Sequence, residues 1–112
     1  RVAPYRKYGA QRTEVDGISF PSKREAQRYQ ELRLLERAGE ITGLRVHPAF
    51  KLPVRSIGRP YKVTFVGKYI ADFSYTEGGK EIVEDCKGVK TTTYRLKKRL
   101  VEALYGIEVR ET

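Results

Sequence analysis

The chain has 112 residues, of which 39% are hydrophobic and 33% charged, with one cysteine and a formal net charge of +9 at pH 7. That length builds one modest core, so a single domain spanning 1–112 is expected, and the lone Cys86 excludes an internal disulfide framework. No apolar run approaches the roughly 18 residues of a membrane span and no signal-peptide pattern opens the chain, so a soluble, cytoplasmic protein is expected.

Residues 1–9 read as a flexible basic arm in which Tyr5 and Tyr8 alternate with cations. Asp16-Gly17 between short β-favouring runs predicts a small hairpin over 13–20. A helix then runs from a Ser22 N-cap to about Ala38 and stops at Gly39. Ser22-Lys23-Arg24-Glu25 matches a capping box, which is sufficient reason for Glu25. At about 100° per residue, however, Glu25 falls inside the buried stripe of Tyr29, Leu32 and Leu35. It points toward the protein, where a carboxylate needs a partner, so capping and a role in a site both stay open.

Leu44 to Val54 and Tyr61 to Val66 follow as β-rich segments joined by a turn at Ser56-Ile57-Gly58-Arg59-Pro60. Pro48 and Pro53 mark the first as an edge or irregular strand, and His47 reads as a strand or turn residue. Strands over 69–75 and 81–87 flank Gly78-Gly79, a strong hairpin signal. With those glycines as the central turn residues, Asp72 faces Asp85 across the ladder, an arrangement that like charges make unfavourable. A divalent cation converts the repulsion into ligation. Lys87 shares the face of Asp85 because strand side chains two apart point the same way, while Cys86 points to the opposite, core side. Read locally, an acid followed two places on by lysine is common in so charged a chain. Glu84 faces away from Asp72 in this register.

A second helix starts at Thr91 or Thr92 and runs through Tyr105 to Gly106. Its apolar arc holds Tyr94, Leu96, Leu100, Val101, Leu104 and Tyr105, with Arg95, Lys98 and Arg99 outward and Lys97 snorkelling at the arc's edge or reaching a phosphate. A short strand over 107–110 closes the chain. The charge is concentrated in two acid-free segments. One spans 1–12, with Arg6, Lys7 and Arg12; the other spans 87–99, with Lys90, Arg95, Lys97, Lys98 and Arg99. A polyanionic partner is the natural reading, with a solvated, solubilising surface as the plain alternative and an anionic membrane a weaker one.

The order helix, strands, helix, strand, carrying Phe20-Pro21-Ser22-Lys23-Arg24-Glu25, Tyr69-Ile70-Ala71-Asp72-Phe73 and Val83-Glu84-Asp85-Cys86-Lys87-Gly88, resembles the PD-(D/E)XK nuclease superfamily. The wording is similar to small phage and prophage members related to Holliday-junction resolvases. The resemblance implies an α+β, restriction-endonuclease-like αβββαβ core with a central mixed sheet between two helices, preceded here by the small N-terminal hairpin. It implies a Mg²⁺- or Mn²⁺-dependent endodeoxyribonuclease that cuts branched or structured DNA in phage recombination, by in-line attack of metal-activated water. Asp72, Asp85 and the Cys86 backbone carbonyl would ligate the ion, Glu25 would complete its shell or hold a second ion, and Lys87 would orient or help deprotonate the attacking water. Cutting a symmetric junction would favour a homodimer, and a phage-encoded member would work in the bacterial host cytoplasm. The chain departs from the pattern at Ala71, where proline is usual, and at Asp85, where glutamate is commoner. The alternative is a basic nucleic-acid-binding module that does not cut.

Overall fold

The structure is a computed structural model that describes residues 11–86 and 90–112. Strands β1 (Thr13–Val15) and β2 (Ile18–Phe20) form the expected hairpin. Asp16 and Gly17 both take positive φ, 53° and 76°, as a tight primed turn requires. Helix α1 (Lys23–Arg37) begins where its cap predicts: the Glu25 amide donates to Ser22 Oγ at 3.2 Å. It ends at Ala38, and Gly39 takes a left-handed φ of 79°.

The β-rich middle of the chain divides differently from the expectation. The single run over 44–54 is two strands, β3 (Thr42–Val46) and β4 (Ala49–Arg55), broken at His47-Pro48. Strand β5 (Val63–Ile70) starts later than Tyr61 and pairs with β4 as a separate two-stranded ribbon. Pro53 sits beside a register shift in that ribbon, which accommodates its missing donor. Tyr69 and Ile70 belong to this ribbon, so β6 is Phe73–Glu77 rather than beginning at Tyr69. Ala71 and Asp72 form the corner between them. Fully buried Ala71 is small enough for the turn, and its amide donates to the Pro48 carbonyl at 3.0 Å.

Strand β7 (Lys80–Asp85) pairs with β6 in the predicted register, Phe73 opposite Glu84 and Glu77 opposite Lys80. Gly78 and Gly79 have φ of 57° and 76°, the two left-handed positions of a two-residue turn. Helix α2 (Thr92–Tyr105) is capped by Thr91 Oγ1, which accepts from the Tyr94 amide at 3.1 Å, and stops at left-handed Gly106. Strand β8 (Val109–Glu111) then lies parallel to β7. The main sheet, in the order β3-β6-β7-β8, is therefore mixed, and the fold is α+β.

Alternation along β7 separates two cores. Ile82 and Cys86 pack with the α1 group of Phe20, Tyr29, Leu32 and Phe73; Val83 packs with the α2 group of Tyr69, Tyr94, Val101 and Val109. Helix α2 uses less of its apolar arc than its sequence predicts. Leu96, Leu104 and Tyr105 are all more than two-fifths exposed, because the helix rests on the base of the β4–β5 ribbon through Tyr94 and Val101. Among the described residues no helix is long and apolar enough to cross a membrane.

Candidate functional site

Two carboxylates and one imidazole converge where α1 begins and the ribbon joins the sheet. Glu25, His47 and Asp72 each place a ligand atom within 4.8 Å of the others. Glu25 reaches the cluster because it occupies the inward azimuth of the first helical turn, where it is 8% exposed. His47 reaches it because the break between β3 and β4 puts its backbone at φ 53°. Its amide donates to the Asp72 carbonyl at 2.9 Å, which ties the two corners of the chain together. His47 Nε2 stands 3.8 Å from Glu25 Oε1, and the ring lies against Phe20 at 5.9 Å.

Asp72 lies one step beyond the last paired residues of β6, and its amide donates to the Glu84 carbonyl at 3.1 Å, so the register puts it opposite Asp85. Its Oδ2 accepts from the Cys86 amide at 2.5 Å. Asp85 is fully buried on the α2 side and is held by a short hydrogen bond from the Tyr69 hydroxyl. Burial first, and Asp85 second, push the Tyr69 hydroxyl far above its ordinary range, so it keeps its proton and remains a donor. Asp85 is not a member of the three-residue cluster, which takes His47 instead.

Glu84, the rival acid, has a different occupation. Fully buried on the α1 side, it accepts from Arg28 Nε at 2.8 Å and Nη2 at 2.7 Å, and from the Tyr75 hydroxyl. Burial and then Glu84 raise the Tyr75 hydroxyl to about 12. Such a bidentate pair fixes α1 to β7 and, with Tyr75, engages three of the roughly four acceptor sites of the carboxylate. Cys86 points to the same side, as expected, and burial pushes its thiol up to about 11.

Of the residues expected to meet DNA, Arg12, Arg95 and Arg99 are exposed and Lys97 is half-buried. Lys90 and Lys98 pair with Glu111 at 3.2 and 3.9 Å. Glu111 also accepts from the Tyr94 hydroxyl at 2.8 Å; that bond and then Lys90 hold its carboxyl below the usual range. Arg6, Lys7 and the rest of the 1–9 arm, together with Lys87, lie outside the described residues.

His47 is the residue that pattern reading misses. It has no second histidine nearby in sequence, and its partners come from positions 25 and 72, so no local spacing announces it. The donor set fits a divalent cation. Opposite ligands around an ion with ~2.1 Å bonds stand about 4.2 Å apart, close to the span seen here. Carboxylate oxygens suit Mg²⁺ and Mn²⁺ alike, whereas an imidazole nitrogen inclines the set toward Mn²⁺ or another transition metal.

A family profile described as "Protein of unknown function (DUF1064)" matches residues 5–112, nearly the whole chain. No curated protein and no solved structure matches it significantly.

Proposed function

We propose that this chain, which belongs to the DUF1064 family, is a metal-dependent endodeoxyribonuclease acting on branched or structured DNA. The observation that carries the reading is the convergence of Glu25, His47 and Asp72 on one point, with buried Asp85 facing Asp72 across the hairpin. Carboxylates brought this close repel one another, and a divalent cation between them turns that repulsion into ligation. The resemblance to the PD-(D/E)XK pattern, and a formal charge of +9, support DNA as the substrate.

Glu25, Asp72 and His47 would hold the ion, and Asp85 would join them or steady Asp72 from the neighbouring strand. Bound there, a divalent cation supplies Lewis-acid stabilisation of charge developing on the phosphoryl oxygens. Lys87, two residues beyond Asp85, is assigned by its place in the motif to orient the attacking water and offset that charge. Tyr69 keeps Asp85 in place by donating to it from the core side.

One observation favours the second reading, a binding module that does not cut. Asp85 is fully buried and already engaged by Tyr69, as a structural acid would be. Labelled linear duplex, single-stranded and four-way-junction DNA, incubated with Mg²⁺, Mn²⁺ or EDTA, separates the two. Cleavage is expected with either metal and is lost in EDTA, in Asp72→Ala and in Lys87→Ala, with binding retained in Lys87→Ala. Cutting that persists in Asp72→Ala would overturn the site; binding without cutting of any substrate would establish the module. Chromatography with light scattering on the junction complex reads the homodimer directly.

A further inference from the structure

We infer that the β4–β5 ribbon is a DNA-gripping arm that holds duplex beside the Glu25–His47–Asp72 cluster. Residues 49–70 carry Lys51, Arg55, Arg59, Lys62 and Lys68 and not one acidic residue. These cations lie on a projecting two-stranded ribbon rather than in a core: every residue of β5 except Tyr69 is exposed. Lys51 and Lys68 stand directly opposite each other in the ladder. Like charges in that position destabilise a strand pair, and a polyanion lying across them reverses the sign.

The aromatic residues of the arm sharpen the kind of nucleic acid. Tyr61 and Phe65 are 57% and 60% exposed, the usual state of a stacking platform for unpaired bases. Here, though, the Arg55 guanidinium lies 4.5 Å and that of Arg59 6.0 Å from the Tyr61 ring centroid, and Lys51 Nζ lies 5.3 Å from that of Phe65. Each ring carries a cation against it while staying more than half exposed. Cation–π contact of this kind holds the charges in place beside the rings, where they meet phosphates. A two-stranded ribbon also has the width to enter the major groove of B-DNA, about 12 Å across. A second copy of the chain is a poor occupant, since two acid-free ribbons repel.

Position gives the arm its role. His47 precedes β4 by two residues and Asp72 follows β5 by two, and the His47–Asp72 and Ala71–Pro48 backbone bonds close its base. DNA lying along the arm is thereby led to the carboxylates. The inference rests on the nuclease reading for what happens at the base, and adds the duplex as the form of substrate held.

The test is binding without divalent cation, so that it reads the arm whether or not the chain cuts. Fluorescence anisotropy in EDTA, with a short blunt duplex and the matching single strand, compares Arg59→Gln/Lys62→Gln with the charge-matched pair Arg37→Gln/Lys80→Gln. The ribbon pair is expected to bind duplex roughly tenfold more weakly near ~0.1 M salt, and to make the slope of log affinity against log salt shallower by about 1.8. The control pair should change neither by as much. An unchanged slope, an equal loss in the control pair, or a loss confined to the single strand would each overturn the inference. So would loss of self-association in the ribbon pair with duplex binding intact, which would make the arm a dimer contact.

Discussion

At the scale of single residues the most consequential is His47, a non-glycine residue held at φ 53°. That conformation is uncommon for residues with a side chain, and its cost is met here by the backbone bond to Asp72. If its imidazole ligates the ion, His47→Ala removes a nitrogen donor that Mn²⁺ values more than Mg²⁺ does. Titration calorimetry should then show Mn²⁺ binding weakened roughly tenfold or more, the effect even supporting residues have, with Mg²⁺ affected less. Equal loss for both ions, or none, would place His47 outside the coordination shell. Cys86 offers a separate check on burial. With its thiol raised to about 11, the folded protein holds the proton that an unfolded chain gives up near pH 8.5. The resulting stabilisation is full below about pH 8.5 and is lost as pH climbs toward the folded value. At pH 8 an aromatic disulfide reagent should label the native thiol roughly a hundredfold more slowly than the urea-unfolded one.

Between elements, the Arg28–Glu84 clamp joins α1 to the centre of the sheet. Arg28→Ala strands a fully buried carboxylate and should cost about 3 kcal/mol in urea unfolding, while Arg28→Lys recovers only part because the two-pronged contact is gone. A loss under about 1 kcal/mol would mean that Tyr75 alone suffices for Glu84. The limits of α1 and the register of β6 with β7 were legible because both are local. Ser22 and Gly39 bracket the helix, and Gly78-Gly79 sets the pairing that brings Asp72 to Asp85. The corners were not. From Tyr69 to Tyr75 no glycine or proline marks where the chain leaves the ribbon for the sheet, and only the weak β-formers Ala71 and Asp72 interrupt the run. The partners that decide this, Phe50 for Tyr69 and Glu84 for Phe73, lie 19 and 11 residues away. His47 depends on both corners, so its local sequence reads only as a strand or turn residue, whereas the inward, buried direction of Glu25 follows from helical azimuth alone. The exposed Leu96 and Leu104 have the same origin, because α2 packs on the two-stranded ribbon rather than on a continuous sheet.

At the scale of the whole molecule, among the described residues, basic charge gathers on a stretch that counting by sequence segment hides. Outside 1–12 and 87–99 the numbers of acids and bases nearly cancel, which conceals that all the acids lie elsewhere than 41–71, a stretch with six arginines and lysines. Folding brings this stretch out as the ribbon, and α2, with exposed Arg95 and Arg99, packs against its base. Two basic elements are therefore in contact with one another, and a single duplex that touches both is expected to feel them together. Phosphate contacts on separate surfaces contribute independently when both are made at once, so their losses add. Arg95→Gln/Arg99→Gln should weaken duplex binding in EDTA about as much as Arg59→Gln/Lys62→Gln. The fourfold variant should show the summed loss in log affinity and a salt slope shallower by about 3.6. If the α2 pair binds like the unaltered protein and the fourfold variant only matches the ribbon pair, the duplex passes along the arm alone, and the helix charge serves solubility.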